Sequence, residues 1–501
     1  MIRSHRFTIV RLAGLASASI FLALVAGGGC RGNSGQGEVL PGRSRPLVRS
    51  DWPHPREYAF AASDFRPPDP ESALLQTPEG IRAYVVADPA DPLVRITAAL
   101  SLGRLHERAG EIGASHLLAR FLTGGASMPS TRSLAHRLDA LGAELMVEEL
   151  PDATRWFVEV LAPDWQEGLN LILDQLQKAP LDDEAIRRYR TGSGYAATTS
   201  GVSGQGFRPR VELERILRGY PLAPPDPGIA VDPSAVKALA SRIVRPDRIV
   251  LGVGGQVTKS QVEAVLAGRE GSWPREGRES EEIRTTRPPP PAPSVHAIDV
   301  ASLEGWVALG REAGPLPESE KAPLAVLADV LNTRLNIATR EIRGLSNRTV
   351  FVLPDTADGA GLFHVDTGGR PEAVAPLIHF TREEMLRLAR PDGAITREEL
   401  EMAKGALILG DWQKSLDGAR QASATFALEA VRYGGTRRLM AWPAAVEAVT
   451  AEDAGSLAEK YLNPAEMATV VVGPMQRIRE ARHPRWPVDF GAIESGSRPT
   501  P

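Results

Sequence analysis

The sequence predicts an α+β chain in which one α/β domain occurs twice. Three observations carry that reading. The string ALASRIVRPDRIVLGVGG at 238–255 answers to SLAEKYLNPAEMATVVVGP at 456–474; each is a helix, a proline and a buried-type strand running into glycine. The segments ahead of both strings share one order of elements: three strands, helices, two strands and further helices. Between the copies, 268–293 is a charged run that ends in Pro288-Pro289-Pro290-Pro291-Ala292-Pro293, the composition of a semi-rigid linker. The division that follows is 71–267 for the first domain, 268–293 for the linker, 294–480 for the second domain and 481–501 for a tail.

The chain has 501 residues, enough for two or three domains with sizeable cores. With 43% hydrophobic and 24% charged residues its composition is that of a globular protein, and a formal net charge of -4 argues against nucleic acid or an anionic membrane surface as the main partner. The N-terminus reads as a signal peptide over 1–29, with Arg3, Arg6 and Arg11 ahead of an uncharged stretch at 12–29. Cys30 follows as the only cysteine, so no internal disulfide exists. Its position resembles the lipid-modified cysteine of bacterial lipoproteins, although Gly27 stands where that pattern has leucine. Simple secretion with cleavage in the glycine run and an uncleaved anchor are the alternatives. All three place the protein outside the cytoplasm, and the expected location is the periplasmic side of a bacterial membrane, lipid-anchored at Cys30.

Residues 30–70 are rich in Gly, Pro, Arg and Ser without periodicity and read as a flexible tether. A hairpin is expected from 72–76 and 81–87, turned by Pro78-Glu79-Gly80, then a strand at 94–102. A helix around His116 follows, then a helix at 130–141 with Ser130 as N-cap and Gly142 as stop. Strands at 143–150 and 154–161 precede a helix begun by Asp164 and Glu167, with Trp165, Leu169, Leu171 and Ile172 on its apolar side. Helices at 182–198, 208–218 and 234–243 and a strand at 248–254 complete the first copy. The second copy reads as strands in 294–311, a helix at 322–335, strands at 349–353 and 361–367, and a helix at 372–388. A long helical stretch is expected from Thr396 to about Tyr433, with Glu399 completing its cap.

The strings SLGRLHERAGEIGASHLLARFLTGGA, LDALGAEL, REIRGLSN and the terminal VVVGP resemble the pitrilysin/insulinase family of zinc metallopeptidases over about residues 73–475. The resemblance implies two homologous insulinase-like domains, each an antiparallel-rich sheet with helices packed on it, arranged as a clamshell. In that family the first helix carries His-x-x-Glu-His and a further Glu lies downstream. Histidines four apart share one helix face and reach one zinc, and the Glu between them takes a proton from the zinc-bound water.

Here the motif falls on His116-Leu117-Leu118-Ala119-Arg120. The first histidine is present. Ala119 has no proton acceptor where the general base belongs, and Arg120 puts a permanent cation where the second ligand belongs. The distal Glu should fall at Ala196 or Ala197, and no Asp or Glu occurs from Tyr189 to Val211. One imidazole does not make the three-ligand set of a catalytic zinc, so no catalytic residue, metal or cofactor is assigned; zinc is expected only if the family's activity were retained. The bland reading of His116 is a packed or solvated helix histidine. The family's substrate-binding Arg and Tyr of the second domain match Arg340 and Asn347. The arginine survives, and Asn347 keeps an amide able to hydrogen-bond a peptide carbonyl; the bland reading of Arg340 is a surface ion pair with Glu341. Among the histidines, His106 stands too far from His116 in sequence to close a site, and His364 and Asp366 share one strand face.

What the resemblance implies is a non-catalytic, peptidase-like subunit. Its partners would be an active zinc-bearing member of the same family, a peptide, and a membrane through the Cys30 anchor, with no nucleic acid. An active zinc metalloendopeptidase with non-standard ligands and a stand-alone envelope scaffold or peptide-binding lipoprotein are the alternatives.

Overall fold

Two six-stranded sheets with the same internal order organise the chain. The computed structural model describes residues 65–78, 80–108, 110–123, 129–178, 181–184, 186–187, 204–218, 231–269, 294–354, 356–357, 361–481, 485–491 and 493–495. The expected signal peptide, Cys30, most of the tether, the proline run of the linker and the distal positions Ala196 and Ala197 lie outside the described residues.

The first sheet contains β1 (Leu74–Gln76), β2 (Arg82–Ala87), β3 (Leu93–Leu100), β4 (Met146–Glu149), β5 (Thr154–Leu161) and β6 (Val250–Gly255) in the order β1-β2-β6-β3-β5-β4. The second contains β7 (Val295–Asp299), β8 (Gly305–Ala313), β9 (Thr349–Val352), β10 (Gly361–Gly369), β11 (Ala468–Gly473) and β12 (Ile493–Ser495) in the order β12-β7-β11-β8-β10-β9. The strands of the repeated strings, β6 and β11, hold the same place in each. Both run parallel to the strand on one side and antiparallel to the strand on the other. Three residues of the expected tail add β12 to the edge of the second sheet, parallel to β7.

Among the described residues, the helices longer than one turn are α1 (Ala114–Leu122), α2 (Pro129–Leu141), α3 (Trp165–Lys178), α4 (Gly204–Arg218), α5 (Pro233–Ile243), α6 (Lys259–Ala267), α7 (Glu318–Asn336), α8 (Val374–Leu388), α9 (Arg397–Gly405), α10 (Ala419–Tyr433), α11 (Arg437–Glu447), α12 (Ala451–Tyr461) and α13 (Met475–Glu480), and a single turn at Pro70–Ala73 precedes β1. Thr396 and Glu399 form the expected reciprocal cap of α9. Helix α2 spans Pro129–Leu141, so the position expected as its cap, Ser130, lies within it. The stretch expected as one helix from Thr396 to Tyr433 is divided. Its ladder widens to π-type turns at Ala406–Gln413, and the chain turns at Gly418, whose φ of +81° suits glycine, before α10 begins.

That division lets α10 leave its own half. β6 and β11 are buried at every position, so each sheet needs cover on both faces. In the first half α1, α3 and α5 build a core on one face, around Ile96, Ala98, Leu100, Trp156 and Val158. The other face is covered by α10, whose Ala419, Ala422, Phe426, Ala427 and Ala430 pack on Tyr84, Val86, Ala99 and Val250. The second half receives the reciprocal helix: Leu213 and Leu217 of α4 pack on Ile298, Ala308, Leu362, Val470 and Val472. Gly252 and Gly254 let α10 close in, since a Cβ at either would lie 2.4 or 2.1 Å from the carbonyl oxygens of Ser423 and Ala419. At the helix's start Arg420 donates to Asp91 Oδ2 (2.6 Å) and Glu159 Oε1 (2.8 Å), and Arg95 donates to Gln421 Oε1 (2.9 Å). Residues 65–501 therefore form one compact unit in which each half is closed by a helix of the other.

Phe426, fully buried with its ring 5.6 Å from that of Tyr84, is the anchor of this exchange. Phe426→Ala is expected to cost about 3–5 kcal/mol. Both halves should still unfold in one urea transition, followed by tryptophan fluorescence and far-UV circular dichroism. Two separated transitions would show that the halves stand alone.

Candidate functional site

Helix α1 carries the motif, and its start is capped from outside. Gly113, the N-cap, has φ +89°, a left-handed conformation that side chains resist, and it has no side chain to offer an acceptor. The buried Glu107 supplies one. Its carboxylate accepts from Gly113 N (3.0 Å), Ser115 N (2.9 Å) and Ser115 Oγ (2.6 Å), and its charge complements the helix's N-terminal dipole. The turn that brings Glu107 there is locked to the loop after β4: Leu105 N donates to Pro151 O (3.0 Å), and Thr154 Oγ1 donates to Leu102 O (2.6 Å). Gly103 has no room for a side chain, because its Cβ would lie 2.3 Å from Pro151 O.

One turn into α1, His116 is 2% exposed and its Nδ1 lies 2.7 Å from Glu149 Oε2. The other oxygen of the same carboxylate accepts from Arg120 Nε at 2.7 Å. The i, i+4 spacing therefore does set residues 116 and 120 on one helix face, as the sequence implies, but what they share is a carboxylate of β4. Ala119 is buried between them, and its backbone carbonyl accepts from Trp156 Nε1 (3.1 Å). The group ties α1 to the end of an edge strand by a charge-assisted contact in a partly dry setting.

These residues do not fit the family's zinc. A guanidinium, which has no lone pair to give, stands beside the one imidazole, and the carboxylate that a cation would attract is already neutralised by it. The protein has put its own cation there. Position 119 offers only a methyl group, so no base is placed to take a proton from water. Among the described residues no group of three or more His, Cys, Asp or Glu side chains is disposed to hold a metal.

The surroundings of α1 are also charged. Arg242 of α5 forks onto Glu111, with Nη1 at 3.0 Å from Oε1 and Nη2 at 3.0 Å from Oε2, and it also donates to His106 O (2.9 Å). Glu111 is held below the usual carboxylate range; Arg242 and backbone N–H donation outweigh the upward push of its burial. Burial first, then Arg248 and Arg242, pushes His106 down to about 4.

The other expected site residues lie elsewhere. Arg340 is on the π-type turn Ile337–Glu341 and pairs with Glu341 (3.4 Å), both side chains more than half exposed. Asn347 is exposed on the loop before β9. His364 and Asp366 do meet, with Nε2 3.3 Å from Oδ2, on β10 in the second sheet. Sequence reasoning missed Glu149 and Glu107. The signal for the first was an acidic pair, Glu148-Glu149, ending a strand that the chain brings back beside the motif helix.

The sequence pattern of the insulinase family (peptidase family M16) matches residues 82–197, and that of the peptidase M16 inactive domain matches residues 230–407; together they cover more than half of the chain. An uncharacterized zinc protease of Mycobacterium tuberculosis is 24% identical, over 81% of this chain and 95% of that protein. The mitochondrial-processing peptidase subunit beta of Blastocladiella emersonii is 22% identical over 82% and 92%. Among solved structures, a protease from Helicobacter pylori superposes with a TM-score of 0.68 at 16% identity, covering 80% of this chain and 99% of that one. A peptidase M16 inactive domain from Pseudomonas fluorescens gives 0.64 at 18% identity, covering 80% and 97%.

His106 makes this corner acid-labile. Its folded pKa is depressed, so the stability it contributes is present above its unfolded value of 6.5 and lost as pH falls toward about 4. The expected loss over that window is roughly 3 kcal/mol. Urea melts of the wild type and of His106→Leu across it should show the acid-side slope flattened in the variant.

Proposed function

The chain belongs to the insulinase family of peptidases, and from that premise we propose that it is a non-catalytic, peptidase-like subunit that binds peptide or assembles with an active zinc metallopeptidase of the same family in the cell envelope. One observation carries the reading. Where the family's chemistry needs a base and a second ligand, this chain has a methyl group and a guanidinium, and the guanidinium is engaged by Glu149 at 2.7 Å. Without a general base such chemistry typically slows by about 10²–10⁴, and without a three-ligand set the zinc itself is not retained.

The frame around that site is nonetheless complete. Both sheets, both exchanged helices and the external cap on α1 are in place, so the chain keeps the shape on which the family builds its peptide site. A relative that is by name one subunit of a processing peptidase supports assembly with a second chain. Arg340 and Asn347, exposed near the start of β9, are the side chains proposed to meet peptide carbonyls. Export and the Cys30 lipid anchor are proposed on the basic start, the uncharged run that follows it and the cysteine behind them.

Purified alone, the protein should carry substoichiometric zinc by elemental analysis and cleave no peptide. One tightly held zinc per chain with chelator-sensitive cleavage overturns the proposal. Isolation from native membranes should bring down a second, zinc-bearing chain of the family. Separately, Cys30→Ser should move the protein from the membrane fraction to the soluble fraction; an unchanged distribution removes the anchor from the account and leaves the rest standing.

A further inference from the structure

Three residues beyond Glu149, the carboxylate paired to the motif helix, lies a second charged cluster, at the seam between the halves. The loop that follows Glu149 carries Asp152, 6% exposed, and this one carboxylate holds two parts of the second half. Its Oδ2 accepts from Ala357 N at 2.6 Å, and its Oδ1 stands 3.0 Å from Arg432 Nε near the end of α10. One turn earlier on the same helix is Glu429. Among the described residues its Oε2 accepts no hydrogen bond although the atom is buried.

Around Glu429, its own helix contributes Arg432, engaged with Asp152, and Tyr433. From α11 comes Arg438, whose guanidinium lies over the Tyr433 ring at 4.2 Å and the Trp442 ring at 5.5 Å, and 3.6 Å from Glu318 of α7. Helix α7 also brings Lys321, with Nζ 5.9 Å from the centre of the Tyr433 ring, 2.6 Å from Glu318 Oε2 and 3.3 Å from Ala357 O. The loop after β4 brings Asp152. Burial pushes the Glu429 carboxyl up, Asp152 adds to that push, and the two arginines offset only part of it.

We propose that Glu429 and Asp152 form a proton-operated latch between the two halves. With Glu429 neutral, Arg432 holds Asp152 with no competing charge from Glu429, and the loop behind Glu149 is held against α10 and the turn at Ala357. With Glu429 charged, a second carboxylate competes for the same cations without a hydrogen bond of its own, and the seam loosens. The sign follows from linkage: a carboxyl whose folded pKa is raised costs nothing below its unfolded value of 4.5 and costs most above its folded value, so the latch tightens as pH falls. Because the held loop continues directly from Glu149, the seam and the motif helix respond together.

The test is amide hydrogen exchange of the full chain, corrected for intrinsic rates, from about pH 5 to about pH 8. In the wild type, exchange at 152–154 and 356–357 should accelerate severalfold over the pH rise. In Glu429→Gln it should stay flat at the slow, low-pH level. His106 acts in the opposite direction and equally in both proteins, so it drops out of the comparison. The same acceleration in Glu429→Gln as in the wild type overturns the proposal. If that variant does not fold, Asp152→Asn gives the second arm: removing the competing charge leaves Arg432 to Glu429, so the acceleration should shrink, and a wild-type response there also overturns it.

Discussion

Each sheet of this protein has two apolar faces and helices of its own for only one of them. That constraint decides the rest. A strand such as β6, buried at every position, cannot leave a face in water without exposing contiguous apolar surface. The solution is reciprocal: α4 crosses to the second sheet and α10 to the first. The crossing also explains local features that look arbitrary in isolation. Gly252 and Gly254 thin the strand where α10 presses closest, the π-type turns at Ala406–Gln413 precede the change of direction, and Arg420 and Arg95 fasten the arriving helix with charge.

Within that frame, the motif helix is held by groups that have no need of a metal. Glu107 closes its N-terminus, Trp156 clasps the carbonyl of Ala119, and Glu149 bridges His116 and Arg120. In a site built for zinc the ion would neutralise the carboxylates around it; here a guanidinium does so from within the chain. A zinc ion is mobile and exchangeable, whereas Arg120 is covalently part of the helix. The site is therefore closed to metal by the same interaction that joins α1 to β4.

The charges near this helix are not decorative, and they pull in opposite directions with pH. His106 is kept neutral by burial and by two arginines, which favours the fold above the acid range. Burial at the seam pushes the Glu429 carboxyl up, which favours the fold on the acid side. Both effects converge on the loop between β4 and β5, which touches the turn before α1 on one side and α10 on the other.

Much of this was legible in the sequence because it depends on local periodicity. Alternation and the repeated strings reveal two copies of one α/β unit, and the i, i+4 rule places residues 116 and 120 on one helix face. The identities of Ala119 and Arg120 already showed a motif without the family's base and second ligand. What local pattern does not contain is which distant residue fills a space. That Glu149 would take the place beside His116, that Glu107 would cap a helix begun by glycine, and that the stretch after Thr396 would break and cross to the other sheet all depend on partners far apart in the chain. Burial selects those partners, since a buried charge or an uncovered apolar face is costly until something reaches it. The sequence by itself determined the architecture of each half and the residues that stand at its motif positions; the tertiary structure decided what packs around them and how the halves are joined.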